Sequence, residues 1–412
     1  MKYRIWALTV LLLAAVRLSY AQKDLRAGTG ILADNNIFRN YTGQSDVIFM
    51  PYAGAGYGAR LQESGNLHLS YDGEFYLFRR LGERDFSVHS LGADYNYQWP
   101  ASRRALSLGG SLEARFNPSD YSYYNYTAGG FYLNFKNYLR DNLMLLARYN
   151  INGKAFKEFR EFNYSEQVFS LQGNLYLESR TTLSLTGAYY YKNYTSNVES
   201  LDSIYISPEE LPQFGPGNGR GRMFLMRFPQ FSEGFYRYGV RESQFPSTAQ
   251  LLLGVTVAQS LTEGTGLMLG WNGRVNPRNR NRYLSDLGES VLNNEELFDD
   301  HYSFVGQEGK IQLKQLLPGE NSLTLLLSAR TRKFNGRPAL DLEGLLLPNG
   351  ENRLDKALFF TAEFSSRFSI GSFSMLEDVE LSIQAGAGRN DSNDRYYKYD
   401  SAWFSVSTGK VF

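Results

Sequence analysis

The sequence predicts an all-β fold, a transmembrane antiparallel up-and-down β-barrel of about sixteen strands. Three observations predict it. Apolar and polar residues alternate with a period of two along most of the chain. Short and long connections alternate between these runs. Past residue 21, no stretch approaches the roughly 18 apolar residues that a membrane helix needs.

The alternation is regular. In 67–78, Leu67, Leu69, Tyr71, Phe75 and Leu77 share one face, and His68, Ser70, Asp72, Glu74 and Tyr76 share the other. In 106–116, Leu106, Leu108, Leu112, Ala114 and Phe116 oppose Ser107, Ser111, Glu113 and Arg115. Runs 143–152 and 323–332 repeat the pattern. A helix would spread such residues around its axis. Each run suits the roughly 9–11 residues with which a tilted strand crosses a bilayer.

Short connections fall at 62–66, 100–104, 140–142, 179–182, 262–265, 318–321 and 370–378, and hold Gly, Asn, Asp, Ser and Pro. Long ones fall at 34–46, 79–85, 117–124, 153–165, 195–247, 276–301, 334–354 and 389–398. Seven turns and eight loops join sixteen strands, which puts both ends of the barrel chain on the short-turn side. Short periplasmic turns opposite long extracellular loops are the outer-membrane pattern. Runs 27–33 and 266–275 are short and Gly-rich, and without them fourteen strands remain.

Composition narrows the function. The chain has 412 residues, with Lys plus Arg 43 and Asp plus Glu 42, so it has no surplus charge with which to attract nucleic acid. There is no cysteine, which removes disulfides, thiolate metal sites and a cysteine nucleophile. No cofactor is implied. Thirty Tyr and 28 Phe in a chain of mean hydropathy −0.39 suit alternating strands.

Residues 1–21 read as a signal peptide. Lys2 and Arg4 precede an apolar run at 7–16, and Ser19-Tyr20-Ala21 provides a cleavage site before Gln22. The exported chain is then 22–412.

The final strand ends Trp403-Phe404-Ser405-Val406-Ser407-Thr408-Gly409-Lys410-Val411-Phe412. A terminal Phe preceded by alternate apolar residues resembles the assembly signal of bacterial outer-membrane β-barrels of porin-like type. Phe404, Val406 and Phe412 match that pattern and Lys410 departs from it. Asp34-Asn35-Asn36-Ile37-Phe38 is similar to the start of many envelope barrels. The resemblance implies location in the bacterial outer membrane, contact with its lipid and lipopolysaccharide, and insertion by the barrel-assembly machinery. Envelope protein partners or a homo-oligomer are compatible with it.

Sixteen strands enclose more space than side chains fill, so a channel or an internal plug is expected. The inferred inward faces carry Arg60, Asp72, Glu74, Asp94, Glu113, Arg115, Lys136, Arg148, Glu178, Arg274, Glu308, Lys310, Lys314, Arg330, Arg332, Glu363, Arg367 and Glu380. Such charges either pair across neighbouring strands or tune ion selectivity. Lys310, Lys314, Arg330, Arg332 and Arg367 make the last third basic, which predicts weak anion preference.

The 195–247 loop holds Pro208, Pro212 and Pro216, a Gly-rich stretch and an apolar Met223-Phe224-Leu225-Met226. Folded inward, it places Arg220, Arg222 and Arg227 at a constriction. The 276–301 loop, basic at Arg278, Arg280 and Arg282 and acidic at Glu295, Glu296, Asp299 and Asp300, reads as a solvated or lipopolysaccharide-bridging surface. Tyr121-Ser122-Tyr123-Tyr124-Asn125-Tyr126 and Tyr396-Tyr397 read as membrane-interface girdle.

Catalysis would need His68, His89 or His301. His68 with Ser70 and Asp72 lacks a nucleophile elbow. His301 beside Asp299 and Asp300 resembles an Asp/His dyad at the rim. Neither makes an enzyme the favoured reading. A passive channel for small hydrophilic solutes leads, with a non-conducting structural or assembly barrel in an envelope complex as the alternative.

Overall fold

The computed structural model describes residues 22–62, 64–100, 102–195, 204–206, 235–237, 247–278, 281–283, 297, 299–369 and 378–412. The signal-peptide reading of 1–21 lies outside them, as do Arg220, Arg222 and Arg227. The strands are β1 (Gln22–Asp34), β2 (Asp46–Gln62), β3 (Gly65–Phe78), β4 (Phe86–Gln98), β5 (Arg104–Phe116), β6 (Tyr126–Arg140), β7 (Leu143–Phe156), β8 (Tyr164–Tyr176) and β9 (Thr181–Tyr194). They continue as β10 (Ile204–Ile206), β11 (Phe235–Arg237), β12 (Ser247–Ser260), β13 (Thr265–Arg278), β14 (Val305–Leu317), β15 (Asn321–Pro338), β16 (Asn352–Phe368), β17 (Val379–Ser392) and β18 (Tyr399–Val411).

Sixteen of these close into one antiparallel barrel, each paired with its neighbours along the chain and β18 with β1. The pair β10–β11 stands apart as a short hairpin inside the 195–247 connection. The strands alternate with the predicted turns and loops in the predicted order, with strand ends reaching up to five residues into several of them, and the barrel has sixteen strands and not fourteen.

The two thin runs are full strands of 13 and 14 residues, β1 and β13. Their glycines serve packing. Gly28 of β1 pairs with Gly409 of β18, and Tyr52 of β2 lies across both, where a Cβ on either glycine would overlap its ring. Ladder hydrogen bonds on both sides of β1 fix its register.

Apolar side chains point outward. Leu69, Leu91, Leu112, Phe131, Ile151, Phe169, Leu185, Leu253, Leu269, Ile311, Leu358 and Phe404 are all exposed, one from each of twelve strands. An apolar belt of this extent is what a barrel presents to lipid. No helix among the described residues is long and apolar enough to cross a membrane. Phe404 and Phe412 are exposed in the last strand region, and Phe412 exchanges backbone hydrogen bonds with Leu25 of β1.

Buried apolar clusters lie at the loop end. One joins Ile37, Phe38, Ile48, Phe78, Leu81 and Phe86. The other joins Tyr124, Tyr126, Phe156, Phe162 and Leu297. The Tyr-rich 121–126 segment, expected at a membrane interface, packs into the loops: Tyr124 is buried against Tyr123 and Phe159.

Candidate constriction at the outer mouth

The segment that packs inside the mouth comes from the 276–301 loop and its junction with β14. Asp300 caps a short 3-10 turn, His301–Ser303, by accepting a hydrogen bond from the Tyr302 amide at 3.2 Å. Four barrel strands then hold the turn. Gln250 of β12 donates to the His301 carbonyl at 2.6 Å and the Phe304 carbonyl at 3.2 Å. Asn276 of β13 donates to the Tyr302 carbonyl at 2.7 Å. The Tyr302 hydroxyl donates to Glu166 of β8 at 2.9 Å. Lys192 of β9 pairs with Asp300, both buried. Gln250 and Tyr302 are fully buried, so these bonds satisfy groups that have lost water.

Asp299 anchors the other side. Arg337 donates to it at 2.7 Å, and Arg353 makes a bidentate contact at 2.9 Å on each oxygen. Arg353 also reaches Asp355 and stacks 3.2 Å from the Tyr397 ring centre. Burial alone would raise the Asp299 carboxyl, but Arg353 and Arg337 outweigh it and hold the group well below the usual carboxylate range. Asp300 is thus a buried anchor and Asp299 a half-buried one. The solvated surface expected of this acidic run is corrected at these two residues, because buried cations from β9, β15 and β16 meet them.

Beneath the segment lies a cavity of about 240 Å³. Arg274, Arg330, Arg332, His301, Phe304 and Glu308 contribute to its lining. Its carboxylates are engaged: Asp299 and Asp300 as above, Glu308 with Lys310 at 3.3 Å. Arg332 lies over the Phe304 ring at 4.5 Å and Arg330 over Phe359 at 4.7 Å, while Arg274 donates to Gln250 at 2.7 Å. Burial lowers the His301 pKa, partly offset by Asp300 and Glu166. Its Nδ1 is 3.1 Å from Asp300. Lys192 and the Tyr302 amide hold Asp300 as well, so the Asp300–His301 contact is one of several that fix the turn.

The other wall charges can be placed. Arg60 lies on β2, Asp72 and Glu74 on β3, Asp94 on β4, and Glu113 and Arg115 on β5. Lys136 lies on β6, Arg148 on β7, Lys310 and Lys314 on β14, Glu363 and Arg367 on β16, and Glu380 on β17. Each shares the strand face opposite the exposed apolar residues. Glu178 does not, because it sits exposed in the turn between β8 and β9, off the wall. Several pair locally. Arg26 meets Asp72 at 3.1 Å, Arg367 meets Glu380, and Tyr126 donates to Glu113 at 2.7 Å. Arg115 is buried over the Phe86 ring at 3.7 Å and donates to Asn117.

Sequence reasoning missed Lys192, Gln250, Asn276, Arg337 and Arg353, which lie near the loop ends of their strands. It favoured 195–247 for the inward role. Among the described residues the 299–304 segment packs inside the mouth, and 195–247 lies outside them apart from 204–206 and 235–237.

The long loops also interlock around the mouth. Tyr41 donates its amide to the Tyr396 carbonyl at 3.0 Å. Arg84 lies over Phe38 at 4.7 Å and Tyr121 at 4.5 Å. Ser122 donates to Glu158 at 2.9 Å, and Leu297 packs with Phe162. Arg337 and Arg353 face Tyr397.

No protein-family model and no curated protein matches the chain. Among solved structures, the chain is similar to the outer-membrane protein OprD of Pseudomonas aeruginosa, at 11% identity over 95% of this chain and 93% of that one, with a TM-score of 0.45. It is similar to OccAB1 of Acinetobacter baumannii at 10% identity, over 95% and 96%, with a TM-score of 0.45. The trimer form of OmpT, an outer-membrane protein of Vibrio cholerae, matches at 10% identity over 96% and 100%, with a TM-score of 0.44.

Proposed function

We propose that the chain is an outer-membrane channel for small hydrophilic solutes, constricted at its outer mouth and anion-preferring. The observation that carries this reading is the 299–304 segment docked inside a sixteen-stranded wall, above a cavity that Arg274, Arg330 and Arg332 line. A barrel of this size has lumen to spare, and an inward segment narrows it at one level. Cations at the narrowest level raise the local anion concentration. Small solutes pass by diffusion, and no reaction is assigned to the site. Export through the 1–21 signal and insertion by the barrel-assembly machinery belong to the same reading.

Reconstitution in a planar bilayer under a salt gradient tests it. Clean conductance steps with a reversal potential toward the chloride side are expected. Cation selectivity would remove the anion assignment, and absence of conductance by a folded barrel would remove the channel.

The ring of interlocked loops favours a second reading, a non-conducting barrel that serves as membrane partner of an envelope complex. The same recording separates the two. A silent barrel that purifies with envelope proteins, or as a homo-oligomer, answers to the second.

A further inference from the structure

The outward face at the loop end is uneven in charge. On β15, β16 and β17, Lys333, Lys356 and Arg389 lie on the face that carries Leu327, Leu358 and Ala387. They stand just beyond the apolar belt, at the level of headgroups. Lys398, one residue before β18, joins them. Two carboxylates accompany these four cations: Asp391 lies 2.9 Å from Lys398, and Asp400 lies 3.9 Å from Arg389. Over β4–β14, Ser87, Thr127, Ala155, Gln167, Tyr191 and Gln307 are neutral at corresponding positions, and Arg278 of β13, which donates to Ser247 at 2.7 Å, is an exception.

A groove continues this sector across β18, β1 and β2. It encloses about 420 Å³ and opens on the outside of the barrel. Ala33, Val47, Ala402 and Phe404 form an apolar floor, and Arg79 and Arg80 line it from the loop after β3. Its carboxylates are turned to partners. Asp46 accepts the Arg80 and Leu81 amides at 3.0 and 3.1 Å, and Asp34 pairs with Arg39 at 2.8 Å. Both carboxylates are buried and hydrogen-bonded within the groove wall, and the Arg80 guanidinium donates to Ser45 at 2.9 Å.

We propose that this sector, from β15 round to β3, is a docking site for a phosphorylated glycolipid of the outer leaflet, of lipid A type. An acyl chain lies on the Ala33–Val47–Ala402–Phe404 floor. Phosphates at headgroup level meet Arg79 and Arg80 on one side and Arg389, Lys398, Lys356 and Lys333 on the other. Charge complementarity selects this occupant: cations beside an apolar floor match a molecule that is anionic at one end and aliphatic at the other. The proposal rests on the outer-membrane reading with the long connections outward.

Native mass spectrometry of the folded full-length chain in detergent tests it, with bis-phosphorylated lipid A, the same lipid dephosphorylated, and phosphatidylglycerol as probes. Bis-phosphorylated lipid A is expected to bind tightest, and more weakly as salt rises. Replacing three cations together, Lys356→Gln, Arg389→Gln and Lys398→Gln, should weaken it roughly 10-fold or more. Arg79→Gln with Arg80→Gln should weaken it by a similar factor. Arg103→Gln, Arg104→Gln and Arg140→Gln, the same charge change at the short-turn end, should leave it unchanged. Lys356→Gln alone, expected to cost roughly 3- to 5-fold, serves if the triple variant does not fold. Equal binding of the dephosphorylated lipid, equal binding of phosphatidylglycerol, or equal loss in the short-turn control would each overturn the proposal. Heat-dependent gel mobility keeps the failures distinct. A chain without that shift fails as an outer-membrane barrel, whereas a shifting barrel that ignores lipid phosphates fails only here.

Discussion

At His301 the pH dependence can be worked out by sign. Burial lowers its pKa, and Asp300 and Glu166 only partly restore it. The folded state thus favours the neutral ring. Its contribution to docking is present above the ordinary value near 6.5 and is lost as pH falls through the lowered one. The proton that then binds adds positive charge to a cavity already lined by Arg274, Arg330 and Arg332. Reversal potentials recorded at pH 7.5 and pH 5 should show anion preference rising with acid, and His301→Gln should flatten that response. An unchanged response in the variant would place the titrating group elsewhere. Replacing Arg330 and Arg332 together by Gln should move the reversal potential toward zero at both pH values, with a roughly twofold fall in the anion-to-cation permeability ratio. The residue types at this site were legible in the sequence, since Asp299, Asp300 and His301 stand side by side. Their partners were not. Lys192 lies 108 residues from Asp300 and Arg353 lies 54 residues from Asp299, and only closure of the wall brings them together.

At the scale of the element, the 299–304 segment is a strap fastened at its start to two parts of the wall, by Asp299 to Arg337 and Arg353 and by Asp300 to Lys192. Breaking one partner of a buried pair costs more than the pair contributes, because a charge is left stranded. Asp299→Asn leaves Arg337 buried beside a neutral amide, while Arg353 keeps Asp355. We expect a loss of roughly 3 kcal/mol in the stability of the docked strap. Single-channel conductance should rise as the strap leaves the mouth, and limited proteolysis should cut near 299–304. A conductance equal to that of the parent chain would show that the strap does not narrow the path. The sequence did not point to the 299–304 segment, for a physical reason. An acidic run reads as solvated because a charge is costly to bury alone, and the compensating cations are scattered over β9, β15 and β16. The prolines and glycines of 195–247 signal irregular backbone, but they do not say where it packs.

Across the whole molecule, the period of two and the sorting of turns from loops were enough to read the barrel, since both are local properties of a meander. Closure is not local. Every other wall pair joins strands that follow one another along the barrel chain, whereas β1 and β18 pair across nearly the full sequence, from Arg26↔Val411 to Asp34↔Trp403. The entropy of bringing these ends together is offset only once the seam forms. The seam carries its own lock, because Tyr52 from β2 lies over Gly28 and Gly409 and spans all three strands. A side chain at Gly409 must displace that ring, and overpacking of this kind costs roughly 1–3 kcal/mol. Gly409→Val should therefore lower the fraction of chain that reaches the heat-modifiable form on refolding, and Tyr52→Ala introduced with it should recover part of the loss by removing the clash. Gly173→Val is the control, since Gly173 on β8 has open space where its Cβ would stand. If that variant refolds as poorly as Gly409→Val, strand propensity and not the seam governs closure. If only the seam variant suffers, the step that commits this chain to a barrel is the meeting of its first and last strands.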